Sequence, residues 1–362
     1  MTTILFLAAD PTDASRLRLG EEVREIQEKL QLAKLGDNFV LHQRFSVRPA
    51  DVSQALLDLS PQIVHFSGHG TDTGAICVED SLGKKHPIQA EDLAALFEQF
   101  SSHVICVVLN ACYSETQARA IARYIDYVIG MNQPIGDKAA IAFSIGFYQA
   151  LGAGRSIEEA YKLGCVQIRL QGIPEHLTPV LISKKDILSK DTGIRKSQSF
   201  YLGFLIAQLT YFAVMKKQGA PVGDTIDQAC ELCRDIASSL KIQFSGIPDQ
   251  LVSSQPPIEL EKLPTASAAS FKVGYSVGIG FFSQIILIAA GASKPSNEWQ
   301  NHLNRARSFL HEADLRDNFL HPVEKFWDRV VNQSIDGKAI DATYVAAKML
   351  QIVNTLKEQI SG

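Results

Sequence analysis

The sequence predicts an α/β domain followed by an all-α domain. Through residue 183, short apolar runs rich in β-branched residues alternate with stretches of helical spacing, which is typical of a mostly parallel sheet with helices on both faces. Residues 184–198 are polar and basic without an apolar stripe, and this composition predicts a linker. From residue 199 onward only helical patterns follow. With 362 residues and 46% hydrophobic composition, the chain is long enough to form two cores.

The elements predicted for the first domain, residues 1–183, alternate along the chain. Strands are expected at residues 4–9, 39–45, 127–131 and 178–182, and at the starts of the stretches 63–70 and 104–114. Helices are expected at residues 17–35, 50–59, 90–99, 114–123, 138–151 and 157–170. Asp137 is predicted to cap the helix at 138–151, and residues 71–87 are predicted to contain a small hairpin.

Two of these strands end in residues that carry chemistry. The stretches IVHFSGHG, residues 63–70, and VICVVLNACYS, residues 104–114, each pass from an apolar run into small and polar residues. The carboxyl ends of neighbouring parallel strands meet at one edge of a sheet, where α/β proteins bind ligands, so His69 is predicted to lie beside Cys112. A thiol and an imidazole together can perform nucleophilic catalysis, because the imidazole favours the thiolate and later returns a proton to the leaving group.

The glycines around His69 fit the same chemistry. Gly68 and Gly70 carry no side chain, so a peptide can approach the imidazole closely, and the N–H groups of Gly70 and Cys112 are predicted to form an oxyanion hole. The helix predicted at 114–123 begins just after Cys112, and its positive N-terminal end favours a thiolate. The alternative is structural: a histidine bonded to a backbone carbonyl and a buried cysteine.

Four stretches stand in order along the first domain: ILFLAADP, RLRLGEEVREI, S-G-H-G and N-A-C-Y-S. In these stretches residues 2–183 resemble the CHAT domains of prokaryotes, which are similar to caspases, metacaspases and separases. The resemblance implies a caspase-like three-layer α/β/α sandwich and cysteine endopeptidase activity. It also implies His69 as base, Cys112 as nucleophile, and no metal or cofactor. Metacaspases carry an acid two residues before the nucleophile, and Asn110 stands there in this chain, which weakens the expectation of a basic P1 residue.

Three polar residues near the strand ends are further candidates for the site. Asp10 follows the first strand and is expected on the same side as His69, so it is a candidate for lining the S1 pocket together with Asn110. A turn-forming aspartate before Pro11 is an equally good interpretation of Asp10. His65 lies on the strand itself and is predicted to point into the sheet and support the site.

Composition and motifs argue against several other functions. A net charge of -4 gives no reason to expect nucleic acid binding, and the N-terminus lacks the pattern of a signal peptide, which predicts a cytoplasmic protein. No phosphate-binding loop occurs. Cys230 and Cys233 form a C-x-x-C without a second pair or a neighbouring histidine, so a zinc or redox site is not expected there.

The second domain, residues 199–362, is predicted to contain an internal repeat. The stretches SFYLGF at 199–204 and SFKVGY at 270–275 match, and each is followed at a similar distance by an amphipathic helix, at 226–240 and at 297–313. Each unit is interpreted as an αα-hairpin, and Gly203, Gly274 and Gly278 would let the apolar helices approach closely. Residues 273–292 carry no charge and are long enough to span a bilayer, but Ser276 and Gln284 favour a bundle core, so no membrane is expected.

Two functions are consistent with this organisation. The first is a cysteine endopeptidase that cleaves a protein substrate and whose helical domain binds a regulatory or target protein, as the resemblance implies for bacterial signalling and defence systems. The alternative is an inert caspase-like scaffold whose helical domain mediates assembly. The oligomeric state stays open.

Overall fold

The computed structural model describes residues 1–217, 219, 223–246, 258–289, 291, 298–335 and 342–361. The chain forms two compact units, residues 1–188 and 189–362. Each unit has its own hydrophobic clusters.

A six-stranded sheet forms the centre of the first unit, in the order β2, β1, β3, β7, β8 and β9. Its strands are β1 (Thr2–Ala8), β2 (Phe39–Phe45), β3 (Ile63–Ser67), β7 (Cys106–Asn110), β8 (Tyr127–Met131) and β9 (Pro179–Ser183). The first five are parallel, and β9 pairs antiparallel with β8. A small antiparallel sheet is formed by β4 (His69–Gly70), β5 (Ile76–Glu79) and β6 (Lys85–Ile88).

Six helices cover the two faces of the large sheet. One face packs against α1 (Leu19–Gln31), α5 (Asp137–Gly152) and α6 (Ile157–Leu170), and the other against α2 (Pro49–Leu59), α3 (Ala90–Gln99) and α4 (Glu115–Ile121). Because side chains alternate along a strand, Ile4 and Phe6 of β1 join the first layer of helices, while Leu5 and Leu7 join the second. The predicted three-layer α/β/α sandwich is therefore confirmed.

The predicted linker at 184–198 is helical, because it forms the beginning of α7 (Lys184–Lys217). The buried residues of this stretch are Gly193, Lys196 and Ser197. None of them is a large apolar residue, so the sequence shows no apolar stripe although the stretch is helical and packed. Asp191 and Arg195 form an i,i+4 ion pair on its exposed side. The prediction of a linker from composition was therefore wrong, because small and polar residues form the packed face of this helix.

The second unit is helical, as predicted. Besides α7, it contains α8 (Gly223–Ser239), α9 (Thr265–Ala289), α10 (Glu298–Arg307), α11 (His321–Ile335) and α12 (Ala342–Ser361). Residues of α8 share a hydrophobic cluster with α7, and residues of α10 share one with α9. These two hairpins are the predicted repeat. Residues 247–257 lie outside the described residues, and a short 3-10 helix at Leu260–Lys262 precedes α9.

The two apolar helices of the repeat, α7 and α9, cross at glycines. A Cβ atom at Gly203 of α7 would lie 2.2 Å from the carbonyl oxygen of Phe271, and one at Gly274 of α9 would lie 1.9 Å from that of Phe200. These two contacts are equivalent under the repeat, since Gly203 matches Gly274 and Phe200 matches Phe271. The helices thus cross backbone to backbone about a local pseudo-two-fold axis, as the glycines predicted.

We expect Gly274→Ala to lower the thermal stability of the helical unit. Its new methyl group would collide with the backbone of Phe200, and overpacking of this kind typically costs about 1–3 kcal/mol. At Gly280, by contrast, a new Cβ first meets a side-chain carbon of His302 at 3.0 Å, so Gly280→Ala should cost less. Calorimetric melting of both variants checks this order. Equal melting temperatures for Gly274→Ala and Gly280→Ala would contradict a backbone contact between α7 and α9 at Gly274.

By length and composition alone, the same two helices are long and apolar enough to cross a membrane. Each of α7 and α9 contains an 18-residue apolar stretch, of which 56% is buried within the structure. The expectation that the protein does not enter a membrane stays a prediction.

Candidate active site

Parallel pairing of β3 with β7 brings the two motifs together. Ser67 is the register partner of Asn110, and the N–H of Gly68 donates to the carbonyl of Asn110 at 3.3 Å. Both strands end here, so the following residues leave the sheet at one edge. Residues 67–70 therefore lie directly beside residues 110–112.

The closest approach of the two motifs is between Gly70 and Cys112. A Cβ atom built on Gly70 would lie 1.8 Å from the carbonyl oxygen and 3.1 Å from the amide nitrogen of Cys112. No side chain fits in this space, so a glycine is required for the two backbones to touch. His69 and Gly70 form the short strand β4, which is held by pairing with Cys77 and Ile76 of β5.

His69 is oriented by a backbone carbonyl. Its Nε2 atom lies 2.8 Å from the carbonyl oxygen of Ser15, which can only accept a hydrogen bond. Nε2 therefore carries the proton in the neutral ring, and Nδ1 is the nitrogen that is left to accept one. The Oδ1 atom of Asp10 lies 3.8 Å from the same Nε2 and adds negative charge beside the ring. Such a carbonyl contact is also what the structural alternative predicted, so the position of Cys112 decides between the two.

Cys112 is partly exposed, and its Sγ atom lies 3.8 Å from the carbonyl oxygen of Ile135. The next residue, Tyr113, has a φ angle of 55°, which is a left-handed conformation that side chains other than glycine rarely adopt. Strain of this kind concentrates at functional sites. Both Cys112 and His69 line one cavity of about 40 Å³ at the edge of the sheet.

Two backbone amides, one in each motif, are available for an anion. The N–H of Thr71 donates to the carbonyl of Ala75 at 2.8 Å, and bonding alternates along an antiparallel pair, so the N–H of Gly70 points away from β5. Within the part of the chain that the structure describes, the N–H of Cys112 makes no hydrogen bond. These are the two amides predicted to form the oxyanion hole.

A buried carboxylate, that of Glu22 on α1, lies at the inner end of the cavity. Glu22 is 2% exposed and receives hydrogen bonds from His65 and Ser67 of β3, Asn110 of β7 and Ser144 of α5. The donor–acceptor distances are 3.1 Å, 2.5 Å, 2.6 Å and 2.7 Å, in the same order. Four elements of the sandwich therefore meet at one side chain.

The environment of Glu22 keeps it ionised. Burial by itself raises the pKa of a carboxyl group, but the hydrogen bond and charge of His65 and the hydroxyls of Ser67 and Ser144 outweigh burial and lower the pKa of Glu22 below its usual value. His65 is fully buried and has its other ring nitrogen 3.1 Å from the hydroxyl of Tyr148. His65 thus points into the sandwich, as the sequence predicted, and its supporting role for the site stays a prediction.

Of the other candidate residues, Asn110 and Asp137 line the cavity, whereas Asp10 lies outside its lining. Asn110 lines the cavity, and its Oδ1 atom has no hydrogen-bond partner among the described residues. Asp10 lies beside His69 and Arg16, outside the residues that line the cavity. Asp137 does not cap α5, because the extended Gly136 occupies the cap position; Asp137 is the first helical residue and lines the cavity.

Sequence reasoning missed Glu22 and Ser15. A signal for Glu22 was present, because it lies on the apolar stripe of α1 formed by Leu19, Val23 and Ile26, where a charged residue needs partners. Ser15 acts through its backbone carbonyl, which no side-chain pattern can reveal.

The other cysteines lie in environments that suppress reactivity. Burial raises the pKa of each of these thiols, to about 12 for Cys233. The thiols with raised pKa values are Cys77, Cys106, Cys165, Cys230 and Cys233. A raised pKa is the opposite of what a redox or metal-binding thiol needs. Among the described residues, no group of three or more potential ligands is arranged to hold a metal ion.

We therefore expect iodoacetamide at about pH 7.5 to alkylate Cys112 first. Burial raises the pKa of the partly exposed Cys165, so this thiol is less ionised at any given pH, and its labelling should be slow and increase as the pH is raised. Mass spectrometry of wild type, Cys112→Ala and Cys165→Ala locates the label. Equal rates for Cys112 and Cys165 at about pH 7.5 would contradict the prediction.

Fold and cavity define an α/β/α sandwich that presents a cysteine and a histidine together at the edge of a mostly parallel sheet. Residues 6–171 match the CHAT domain family. Residues 6–171 therefore form a CHAT domain, and the curated relatives that match part of the chain carry protease names, which agrees with the resemblance described above.

Curated relatives match at low identity and over part of their length. A Roc-COR-CHAT protease from an unknown prokaryotic organism is 27% identical over 197 residues, covering 51% of this chain and 18% of the relative. A probable protease of Gillisia limnaea is 26% identical over 153 residues, covering 42% of this chain and 27% of the relative. A Roc-COR-CHAT protease of Runella zeae is 26% identical over 170 residues, covering 46% and 18%. This chain thus spans less than a third of the length of each of these relatives.

Proposed function

We propose that this protein is a cysteine endopeptidase whose catalytic pair is His69 and Cys112. The observation that supports the proposal most directly is the close approach of Gly70 to Cys112, which brings the two motifs together, with Cys112 and His69 lining one cavity. The protease names of the relatives support peptide hydrolysis as the reaction.

In the proposed first step, the Sγ atom of Cys112 attacks the carbonyl carbon of the scissile peptide bond. His69 accepts the thiol proton at Nδ1, while its Nε2–H stays bonded to the carbonyl of Ser15. The negative charge that develops on the carbonyl oxygen is stabilised by the N–H groups of Gly70 and Cys112. Asp10 stabilises the positive charge that His69 acquires.

In the second step, the tetrahedral intermediate collapses and the carbon–nitrogen bond breaks. His69 gives its proton to the departing amine, which leaves a thioester on Cys112. Water then attacks the thioester with His69 as base, and the acid product and free thiol are released. This sequence uses only groups of this chain and water.

The polar residues of the cavity indicate which P1 side chains they would favour. Asp137 and Asn110 line it, and among the described residues the Oδ1 atom of Asn110 has no hydrogen-bond partner. A P1 side chain that donates a hydrogen bond would satisfy Asn110, whereas an apolar or acidic one would leave it unpaired. We therefore propose Asn110 as a substrate-binding residue, and Asp10 as a group that acts through His69.

The helical unit is proposed to bind a regulatory or target protein. Its pseudo-two-fold repeat and its separate cores are consistent with a domain that folds around its own centre and presents its outer helices to a partner. From the resemblance of residues 2–183 to CHAT domains we further propose a role in bacterial signalling or defence, and we expect the protein to be cytoplasmic and to bind neither nucleic acid nor membranes.

A thiol-directed peptide probe tests the proposal. A panel of acyloxymethyl ketone peptides with varied P1 residues is incubated with the full chain, and the labelled residue is located by mass spectrometry. We expect labelling at Cys112 that is fastest with donor-bearing P1 residues and absent in Cys112→Ala. Labelling confined to the other cysteines would instead favour the inert scaffold.

A further inference from the structure

We infer that Glu22 is a positioning residue that holds the cysteine loop and the histidine loop in register. This inference rests on the proposed function of Cys112 and His69. Glu22 lies on α1, remote from both motifs in sequence, and nothing in its local pattern connects it with catalysis other than its burial.

The carboxylate is joined directly to both catalytic loops. Ser67, which bonds to Oε2, is two residues before His69, and Asn110, which bonds to Oε1, is two residues before Cys112. Each bond anchors the last residue of a strand, at the point where the chain turns into the loop. Glu22 therefore adds a side-chain bridge to the backbone pairing of β3 and β7, at the point where both loops begin.

Ionisation matters for this role. All four partners donate, and hydrogen bonds to a charged acceptor are about twice as strong as neutral ones. In Glu22→Gln, the shape is kept, but the charge is lost and the amide group presents a donor where Ser67 now donates. The bond to the histidine loop would then have to reverse or break.

The same geometry assigns Glu22 to positioning and not to substrate binding. Three protein donors bond to Oε1 and one bonds to Oε2, and Glu22 is only 2% exposed, so the carboxylate presents almost no surface to a substrate. A substrate therefore gains little from Glu22 directly. Its loss should reduce the rate of the chemical step and leave substrate affinity nearly unchanged.

The first experiment compares Glu22→Gln with Glu28→Gln in the full chain. Glu28 is an exposed glutamate on the same helix and serves as the matched control. With the best probe from the P1 panel, we expect Glu22→Gln to lower the maximal rate of inactivation at Cys112 at least tenfold. The probe concentration for half-maximal rate should stay within about twofold, and Glu28→Gln should behave as wild type. A Glu22→Gln variant with the wild-type maximal rate, or one that changes only the half-maximal concentration, would overturn the inference.

A second pair of variants decides the matter if Glu22→Gln does not fold. Ser67→Ala and Ser144→Ala each remove one hydroxyl donor from the same carboxylate, but Ser67 adjoins the histidine loop and Ser144 lies on α5. A positioning role predicts at least a tenfold loss for Ser67→Ala and less than threefold for Ser144→Ala, at similar melting temperatures. Equal losses would show that the carboxylate is only a structural anchor.

Failure of the inference and failure of the proposed function give different results. If the wild type is not labelled at Cys112 by any probe, the endopeptidase proposal is wrong. If the wild type is labelled and the Glu22 and Ser67 variants keep the wild-type maximal rate, only the positioning role is wrong.

Discussion

Replacing Gly70 with alanine should reduce labelling of Cys112 at least 100-fold while the protein remains folded. The new methyl group would lie 1.8 Å from the carbonyl oxygen of Cys112, and a contact with backbone cannot be relieved by a rotamer change. The loops that carry the thiol and the imidazole must then move apart. The oxyanion site is lost at the same time, because both of its amides belong to these two residues.

The measurement is the rate of labelling by the peptide probe, with circular dichroism and thermal melting to confirm the fold. Gly20→Ala is a suitable control, since a Cβ atom at Gly20 on α1 meets no atom within 4 Å. Labelling of Gly70→Ala within threefold of wild type would mean that close contact of the two loops is not needed, and the proposed oxyanion hole would be wrong.

Replacing His69 with alanine should slow turnover by about two to four orders of magnitude, the usual contribution of a general acid and base. The loss should be larger than that of Asp10→Asn, for which we expect about three- to tenfold, because Asp10 acts on the ring by charge alone from 3.8 Å. Hydrolysis of the best peptide from the P1 panel measures both effects.

His103→Ala provides a matched control for His69→Ala. His103 is exposed and precedes β7, so it lies near the amino end of the strand, whereas the cavity is at the carboxyl ends. Partial recovery of His69→Gly by free imidazole would show that the ring itself is needed. If His69→Ala cleaves peptides at the wild-type rate, another group is the base.

Much of the first unit follows from local pattern. The alternation of apolar runs and helical spacing predicts the five parallel strands and their helices closely. Four of these strands are mostly buried on both faces and read as apolar runs, whereas β2 at the edge is only partly buried. The capping box of Ser156 and Glu159 at the start of α6 is equally local. The antiparallel direction of β9 is not, since it depends on the path of the chain after α6.

The candidate site could be predicted only in part. Strand order explains why His69 and Cys112 meet, since both motifs follow strands of one parallel sheet. Glu22 and Ser15 come from another element and a distant loop, and they reach the site through tertiary packing that no short motif encodes. The helix at 184–198 was missed for a related reason: its buried surface consists of Gly193, Lys196 and Ser197.

The crossing of α7 and α9 has a mechanical consequence for any partner of the helical unit. Where two helices touch through their main chains at Gly203 and Gly274, no flexible side chains lie between them to absorb a displacement. A partner that displaces one hairpin of the repeat is therefore expected to displace the other hairpin as well. Binding of a partner to either hairpin would then move α7 and α9 together as one rigid body and would not bend a single helix.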